Sequence, residues 1–189
     1  MSATIVTEGS VDKVLLERLL ACHPRLRGNG IQVRDAGGRY GAQSKARTIL
    51  TLRRESVAVV SDADTLDAES IAEQRHLLEM QLGQAAPASE WRVILLAPEV
   101  EALLFRDDRL LRSLLPEEPS PEQLRRACSA PKQVLAELFA QAGEQPFPEA
   151  LLRRLEQADL SSLWESPELR PLAEFLLEKS AAQQPGTAP

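Results

Sequence analysis

Short apolar runs alternate with longer amphipathic stretches along the first half or so of the chain. Runs rich in Val, Ile and Leu predict four strands, near residues 3–7, 31–34, 57–61 and 91–96. Between them, apolar residues recur at helical spacing and predict helices over residues 11–21, 43–53 and 67–82. Because strands that alternate with helices form βαβ units, the pattern predicts an α/β fold with a mainly parallel four-stranded sheet flanked by helices.

The pattern changes after Phe105, where no further run is typical of a strand. Ser120-Pro121 and Ser166-Pro167 each match the start of a helix, with a capping serine before a first-turn proline. Helices are predicted near residues 107–115, 121–128, 131–142, 148–158 and 168–180. We therefore expect an α/β domain over residues 1–105, a helical C-terminal part over 106–180 packed on it, and a disordered tail over 181–189.

Acidic residues follow three of the four predicted strands at the point where each strand ends. Glu8 follows the first strand; Asp62 and Asp64 follow the third; Glu99 and Glu101 follow the fourth. In a parallel sheet, the carboxyl ends of the strands share one edge, where ligands bind. Carboxylates that converge there repel one another, so such a cluster either takes up protons or binds a cation. Oxygen ligands, with no sequence cluster of His or Cys, indicate Mg²⁺ or Mn²⁺.

Each acid also has an ordinary structural interpretation, as a helix cap, a turn residue or a solvated helix carboxylate. In an extended chain the side chains of Asp62 and Asp64 point the same way, which suits a shared metal ion. Asp12 lies one turn beyond Glu8 and faces either the same site or the solvent. Ser10 is the expected N-cap of the first helix, and Asp67 the expected start of the third.

Charge is distributed unevenly along the chain, whose formal net charge is −6. Residues 1–60 hold ten Lys or Arg and five Asp or Glu, whereas residues 61–189 hold twelve and twenty-three. Between Arg25 and Arg54 there are eight basic residues and one acid, Asp35. A basic surface beside a carboxylate site suits a substrate rich in phosphate, although a solvated surface of an arginine-rich protein gives the same pattern.

Other features of the composition exclude several classes of protein. No apolar run reaches the length of about 18 residues that a membrane span needs, so no membrane association is expected. The N-terminus lacks the apolar region of a signal peptide. Cys22 and Cys128 are far apart and lack metal-ligand spacing, which predicts reduced thiols in a cytoplasmic protein.

Two motifs together resemble the Toprim domain: Glu8-Gly9 after the first strand, and Asp62-Ala63-Asp64 after the third. That family includes topoisomerases, primases, small nucleases and the overcoming-lysogenization-defect nucleases, and the resemblance covers roughly residues 1–105. Thr65-Leu66-Asp67 follows the second motif, which departs from the pattern of topoisomerases and primases. Pro98–Phe105 and Ala130-Pro131-Lys132 resemble small stand-alone Toprim-like proteins, and this local resemblance favours Glu101 over Glu99.

The resemblance implies a metal-dependent phosphodiesterase that acts on DNA or RNA, alone or as a subunit of a bacterial defence or DNA-maintenance system. It implies metal ligands Glu8, Asp62, Asp64 and Glu101, and catalytic residues Glu8, Asp62, Asp64 and Lys132. The basic stretch and the glycine turn after the first strand add four expected substrate-binding residues: Gly9, Arg39, Lys45 and Arg47. One alternative is a non-catalytic Toprim-like interaction module that binds a protein partner through its acidic helical half. Another is a small-substrate phosphotransferase or phosphatase. The oligomeric state stays open.

Overall fold

Four parallel strands form the centre of the structure, a computed structural model that describes residues 3–143 and 147–182. The strands are β1 (Ala3–Thr7), β2 (Gln32–Asp35), β3 (Ser56–Asp62) and β4 (Trp91–Leu96). They lie in the order β2-β1-β3-β4, and each neighbouring pair is parallel, with Val6 of β1 opposite Arg34 of β2 and Val59 of β3. The predicted α/β fold with a parallel four-stranded sheet is therefore confirmed.

Helices flank the sheet close to the predicted positions, apart from the start of the second one. The α-helices of the described residues are α1 (Ser10–Cys22), α2 (Arg39–Thr48), α3 (Ala68–Gly83), α4 (Asp108–Leu114), α5 (Pro121–Ala127), α6 (Pro131–Gln141), α7 (Glu149–Leu155) and α8 (Arg170–Ala181). The helix predicted from residue 43 begins at Arg39 and continues beyond Thr48 as a π-helical stretch, Ile49–Arg53. Gly37 and Gly38 have φ angles of 71° and 118°. The chain therefore turns before Arg39, and the helix begins at that residue.

The two faces of the sheet bury different helices, because successive side chains of a strand point to opposite sides. Ile5 and Ile94 lie on the face covered by α1 and the C-terminal helices, in one cluster with Phe139 and Phe175. Val6 and Val59 lie on the face covered by α2 and α3. Because helices cover both faces of the sheet, polar side chains are found at its carboxyl edge.

The C-terminal helices share the larger core with the sheet. Leu111 of α4, Leu135 of α6, Leu151 of α7 and Leu172 of α8 all belong to the same buried cluster as Ile5. The boundary between residues 1–105 and 106–180 stays a prediction. The predicted tail falls almost wholly on residues 183–189, outside the described residues, and Ala181 is the last residue of α8. No helix among the described residues has the length and apolar character to cross a membrane.

Besides α2, the helix starts agree with the sequence signals at α3 and α5 and differ from them at α1 and α8. Asp67 accepts a hydrogen bond from the Ser70 amide at 2.8 Å, and Ser120 caps α5, as predicted. The prediction that Ser10 caps α1 is wrong: Gly9 holds the N-cap position and its amide donates to Asp12 Oδ2 at 3.0 Å. The prediction that Ser166 caps the last helix is also wrong: residues 167–169 form a turn, and α8 starts at Arg170, two residues later than predicted.

Gly41 allows the loop after β2 to pack tightly against the start of α2. A Cβ atom placed on Gly41 would lie 2.2 Å from the carbonyl oxygen of Ala36. Within the same loop, the Gly38 amide donates to the carbonyl oxygen of Glu8 at 2.9 Å. These two contacts hold the N-terminus of α2, and with it Arg39, against the end of β1.

We expect Gly41→Ala to lower the free energy of unfolding by about 1–3 kcal/mol, the usual cost of forcing extra volume into a packed position. Gly83→Ala is the matched control, because a Cβ there would lie 3.9 Å from Cζ2 of Trp91, an ordinary contact. That variant should keep or raise stability by up to about 1 kcal/mol. Chemical denaturation measures both, and equal stability of the two variants would contradict the account.

Candidate metal and phosphate site

Carboxylates from three strand ends and one helix gather at the carboxyl edge of the sheet. Glu8 follows β1, Asp62 ends β3, and Glu101 lies in the 3₁₀ turn after β4. Asp12 joins them from the first turn of α1. β1 and β3 are adjacent and parallel, with Thr7 opposite Val60, so their carboxyl ends lie side by side at this edge.

Asp62 is the central carboxylate of the group. Its Oδ1 accepts a hydrogen bond from the Val100 amide at 2.7 Å, which ties the end of β3 to the turn after β4. Desolvation is the main reason that the pKa of Asp62 rises to about 8, and the charge of Asp12 raises it further. The Val100 bond acts in the opposite direction, while Glu101 and Glu8 add smaller repulsions. This carboxyl group therefore holds its proton at neutral pH unless a cation takes the place of that proton.

Glu101 is the most deeply buried acid of the group, with 1 % of its surface exposed. Neither carboxylate oxygen accepts a hydrogen bond from any residue that the structure describes. The amine of Lys132 supplies a counter-charge, with Nζ 3.9 Å from Oε1. Burial raises the pKa of Glu101 to about 7; its own backbone amide, which lies near the carboxylate without a hydrogen bond of normal geometry, and then Lys132 oppose this shift. Buried acceptors without donors are costly, and this pair of oxygens is therefore suited to a cation.

Glu99 and Glu101, which the sequence left as alternatives, have different surroundings. Glu99 Oε2 accepts a hydrogen bond from the backbone amide of Lys132 at 3.2 Å, at the start of α6. Glu101 is buried, and the charges of Glu99 and, less strongly, of Asp12 raise its pKa. The structure thus gives Glu99 a capping contact and places Glu101 among the acids.

Asp12 belongs to the cluster of acids. From the sequence alone, its side chain could face either the site or the solvent. Only 8 % of its surface is exposed, and its Oδ2 accepts hydrogen bonds from Thr7 Oγ1 at 2.9 Å and from the Gly9 amide. A signal for this placement exists in the sequence: Asp12 precedes Leu15, Leu16 and Leu19 at spacings of three, four and seven, which puts it on the buried face of α1.

Arg39 joins the outer acids into one network. Its Nε lies 3.4 Å from Glu8 Oε1, and its Nη2 lies 2.6 Å from Asp64 Oδ2 and 2.8 Å from the carbonyl oxygen of Asp62. Asp64 has a φ of 54°, so the chain is not extended there. The expectation that Asp62 and Asp64 point the same way is therefore wrong: Asp64 turns outward to Arg39, with 65 % of its side chain exposed.

The other predicted phosphate ligands are spread more widely. Gly9 lies in the β1–α1 turn beside Asp12, in an extended conformation that does not require glycine. Lys45 donates to the carbonyl oxygen of Asp35 at the end of β2. Arg47 is exposed on α2, eight residues or about 12 Å along the helix from Arg39. Arg39 and Lys132 thus contact the acids, while Lys45 contacts the end of β2 and Arg47 lies farther along α2.

The side chains do not form a closed metal site as they stand. Within residues 3–143 and 147–182, no group of three His, Cys, Asp or Glu side chains is placed to hold an ion. The donor set nevertheless fits Mg²⁺ or Mn²⁺: it consists of carboxylate oxygens, and two of them, on Glu101, are buried without a donor. A cation bound there would compete with Arg39 for Glu8 and Asp64.

Comparison with known proteins identifies the fold. No protein-family model and no curated protein matches the chain. Among solved structures, the chain is similar to the C-terminal region of the OLD protein of Xanthomonas campestris pv. campestris, with a TM-score of 0.56, 15 % identity, and 95 % of this chain and 94 % of that one covered. The C-terminal region of the Burkholderia pseudomallei OLD protein gives a TM-score of 0.56 and 17 % identity over 95 % and 96 %. The chain therefore has the fold of these OLD C-terminal regions.

Asp62→Asn should stabilise the metal-free protein increasingly as the pH rises from 5 to about 8. The folded protein holds a proton on Asp62 up to a pKa of about 8, whereas the unfolded chain loses it near 3.8, so wild-type stability falls between those values. Asparagine retains the acceptor for the Val100 amide without the charge. The difference in unfolding free energy should grow with pH, by at most about 1.4 kcal/mol per unit. Chemical denaturation at several pH values measures it, and a constant difference would contradict the pKa.

Proposed function

We propose that this protein is a metal-dependent phosphodiesterase of the Toprim type that acts on nucleic acid. The observation that carries the proposal is the pair of acids Asp62 and Glu101: burial raises the pKa of both, and neither carboxylate oxygen of Glu101 accepts a hydrogen bond from a described residue. A buried carboxylate beside a partly buried one is costly for stability alone. Their position at the carboxyl edge of a parallel sheet is where α/β proteins bind ligands.

The acids divide into two groups by their surroundings. Asp62 and Glu101 would be the inner metal ligands, and Asp12, fixed by Thr7 and Gly9, adds negative charge beside them. Glu8 and Asp64 would be outer ligands, available once Arg39 releases them. A bound Mg²⁺ or Mn²⁺ would polarise a phosphate oxygen and lower the pKa of an attacking water.

Two cations flank the acids and suit the charge that develops on a phosphate during hydrolysis. Arg39 stands on the side of β1 and β3, and its guanidinium is a planar donor that binds phosphate as well as carboxylate. Lys132 stands on the side of α6, and 53 % of its side chain is exposed, so its amine can turn toward a substrate. When a metal replaces these cations at the acids, both become available for the phosphate.

A non-catalytic interaction module is the second candidate, and the contacts of Arg39 favour it. Arg39 already neutralises Glu8 and Asp64, and a cluster closed in this way supports a structural role. The acidic helical half of the chain would then bind a protein partner. The two functions differ in whether divalent metal binds and whether nucleic acid is cut.

Millimolar Mg²⁺ or Mn²⁺ is expected to raise the melting temperature at constant ionic strength. At a metal concentration tenfold above the dissociation constant, the gain is about 1.4 kcal/mol. Glu101→Gln should reduce this shift, because it removes a charged ligand. Glu73→Gln, on the exposed surface of α3, is the control and should leave the shift unchanged. If neither metal changes the melting temperature of the wild type, the acids are a solvated or structural patch.

With Mg²⁺ or Mn²⁺, the protein should nick a supercoiled plasmid or cut oligonucleotides. Glu8→Gln, Asp62→Asn and Glu101→Gln should each lower the rate by on the order of 100-fold, since each removes charge that acts in the transition state. Glu99→Gln should keep most of the activity, because Glu99 contacts the α6 backbone. Circular dichroism checks that the variants are folded. Activity that survives in Glu8→Gln and Asp62→Asn would come from another site.

A further inference from the structure

The second helix and its π-helical continuation carry charge of one sign. Residues 39–54 contain five basic residues and no acid, within a chain whose net charge is −6. Arg47, Arg53 and Arg54 are exposed, and none of them forms an ion pair with another residue in the part of the chain that the structure describes. A concentration of unpaired arginines on one element creates a local field that attracts polyanions.

A groove runs along this element. One wall is a stripe of α2 and the π-helical stretch whose members recur every three or four residues: Tyr40, Gln43, Ser44, Arg47, Thr48, Thr51 and Leu52. The other wall is the C-terminal end of α3, with Gln81 and Gln84. The groove has a volume of about 670 Å³. From Tyr40 to Leu52 the stripe extends about 18 Å at the helical rise.

One end of the groove is at Tyr40, which is next in the chain to a residue of the carboxylate site. Tyr40 follows Arg39, the residue that contacts Glu8 and Asp64. The side chain of Tyr40 is 85 % exposed, more than any other large hydrophobic residue described. The next positions of the stripe, at residues 43 and 44, are polar, so the ring stands alone as a flat apolar platform at the mouth of the groove.

We propose that this groove binds a single strand of nucleic acid and leads it to the carboxylates. A base would stack on Tyr40, and Arg47 would hold a phosphate within the groove, with Arg53 and Arg54 beyond it. Stacking on an aromatic ring combined with arginine contacts to the backbone is the usual means of binding single strands. A base paired in a duplex is already stacked on its neighbours, so only an unpaired base reaches the ring. The proposal rests on the proposed function in one respect: the bound nucleic acid is cut at the carboxylates.

Fluorescence anisotropy measures binding to the groove with labelled oligothymidylate and oligouridylate of about 20 nucleotides. EDTA removes divalent metal, so that binding is measured without cleavage. Tyr40→Ala should weaken binding of both probes by about tenfold, the effect of losing one stacked base. Arg47→Gln should weaken binding and lower the slope of log affinity against log salt by about 0.7, the value for one phosphate of a single strand. Both side chains are exposed, so the variants should remain folded.

The matched control is the double variant Arg25→Gln and Arg27→Gln. These arginines are also exposed, but they lie in the loop between α1 and β2, at the amino edge of the sheet, opposite the site. The control should bind within about twofold of the wild type, apart from a small general effect of charge. A duplex of the same length should bind more weakly and without dependence on Tyr40.

Several outcomes would overturn the groove: no binding by the wild type, no loss in Tyr40→Ala and Arg47→Gln, or an equal loss in the control. Duplex binding with the same dependence on Tyr40 would overturn the assignment to single strands. Cleavage is measured separately with Mg²⁺ or Mn²⁺. If Tyr40→Ala and Arg47→Gln both cleave and bind like the wild type, the proposed role of the groove is wrong and the proposed function stands. Binding that depends on the groove, without cleavage under either metal, overturns the proposed function alone.

Discussion

Repulsion between carboxylates at the carboxyl edge of the sheet is the constraint on which the rest of the site depends. Parallel pairing of β1 and β3 places Glu8 beside Asp62, and the turn after β4 adds Glu101. Arg39 compensates the outer charges through ion pairs, whereas Lys132 reaches Glu101 only at 3.9 Å. Because Glu101 is buried and Asp62 is partly buried, the pKa values of Asp62 and Glu101 rise to about 8 and about 7. A proton or a metal ion must complete the compensation.

Local backbone geometry determines which basic side chain lies near which acid. Gly37 and Gly38 turn the chain at positive φ, and Gly41 lets the new helix pack against Ala36, so α2 begins with Arg39 over the end of β1. On the other side, Glu99 accepts a hydrogen bond from the amide of Lys132 and holds the start of α6 near Glu101. Loop and helix ends thus bring positive charge to acids that the strands supply.

The sequence was sufficient to predict the elements and the strand ends, because buried parallel strands leave long apolar runs that end abruptly at acids. It could not predict contacts that depend on side-chain direction. The positive φ of Asp64 turns that carboxylate outward to Arg39, and nothing in Asp62-Ala63-Asp64 signals it. The burial of Asp12 was readable from its spacing to Leu15 and Leu19, but a first-turn aspartate fits the helix dipole equally well in solvent. Glu101 was preferred to Glu99 only through a resemblance, whereas the structure separates their surroundings.

The proposed function requires a divalent cation to take the place that protons and Arg39 now share. Crystals grown with Mn²⁺ and measured at the manganese absorption edge test it most directly, because anomalous scattering locates the ion without assumptions about the protein. Manganese should lie about 2.0–2.3 Å from carboxylate oxygens of Asp62 and Glu101 or Glu8, with Arg39 turned away from the acids. An anomalous map without a peak at this edge, with Arg39 still paired to Glu8 and Asp64, would contradict it.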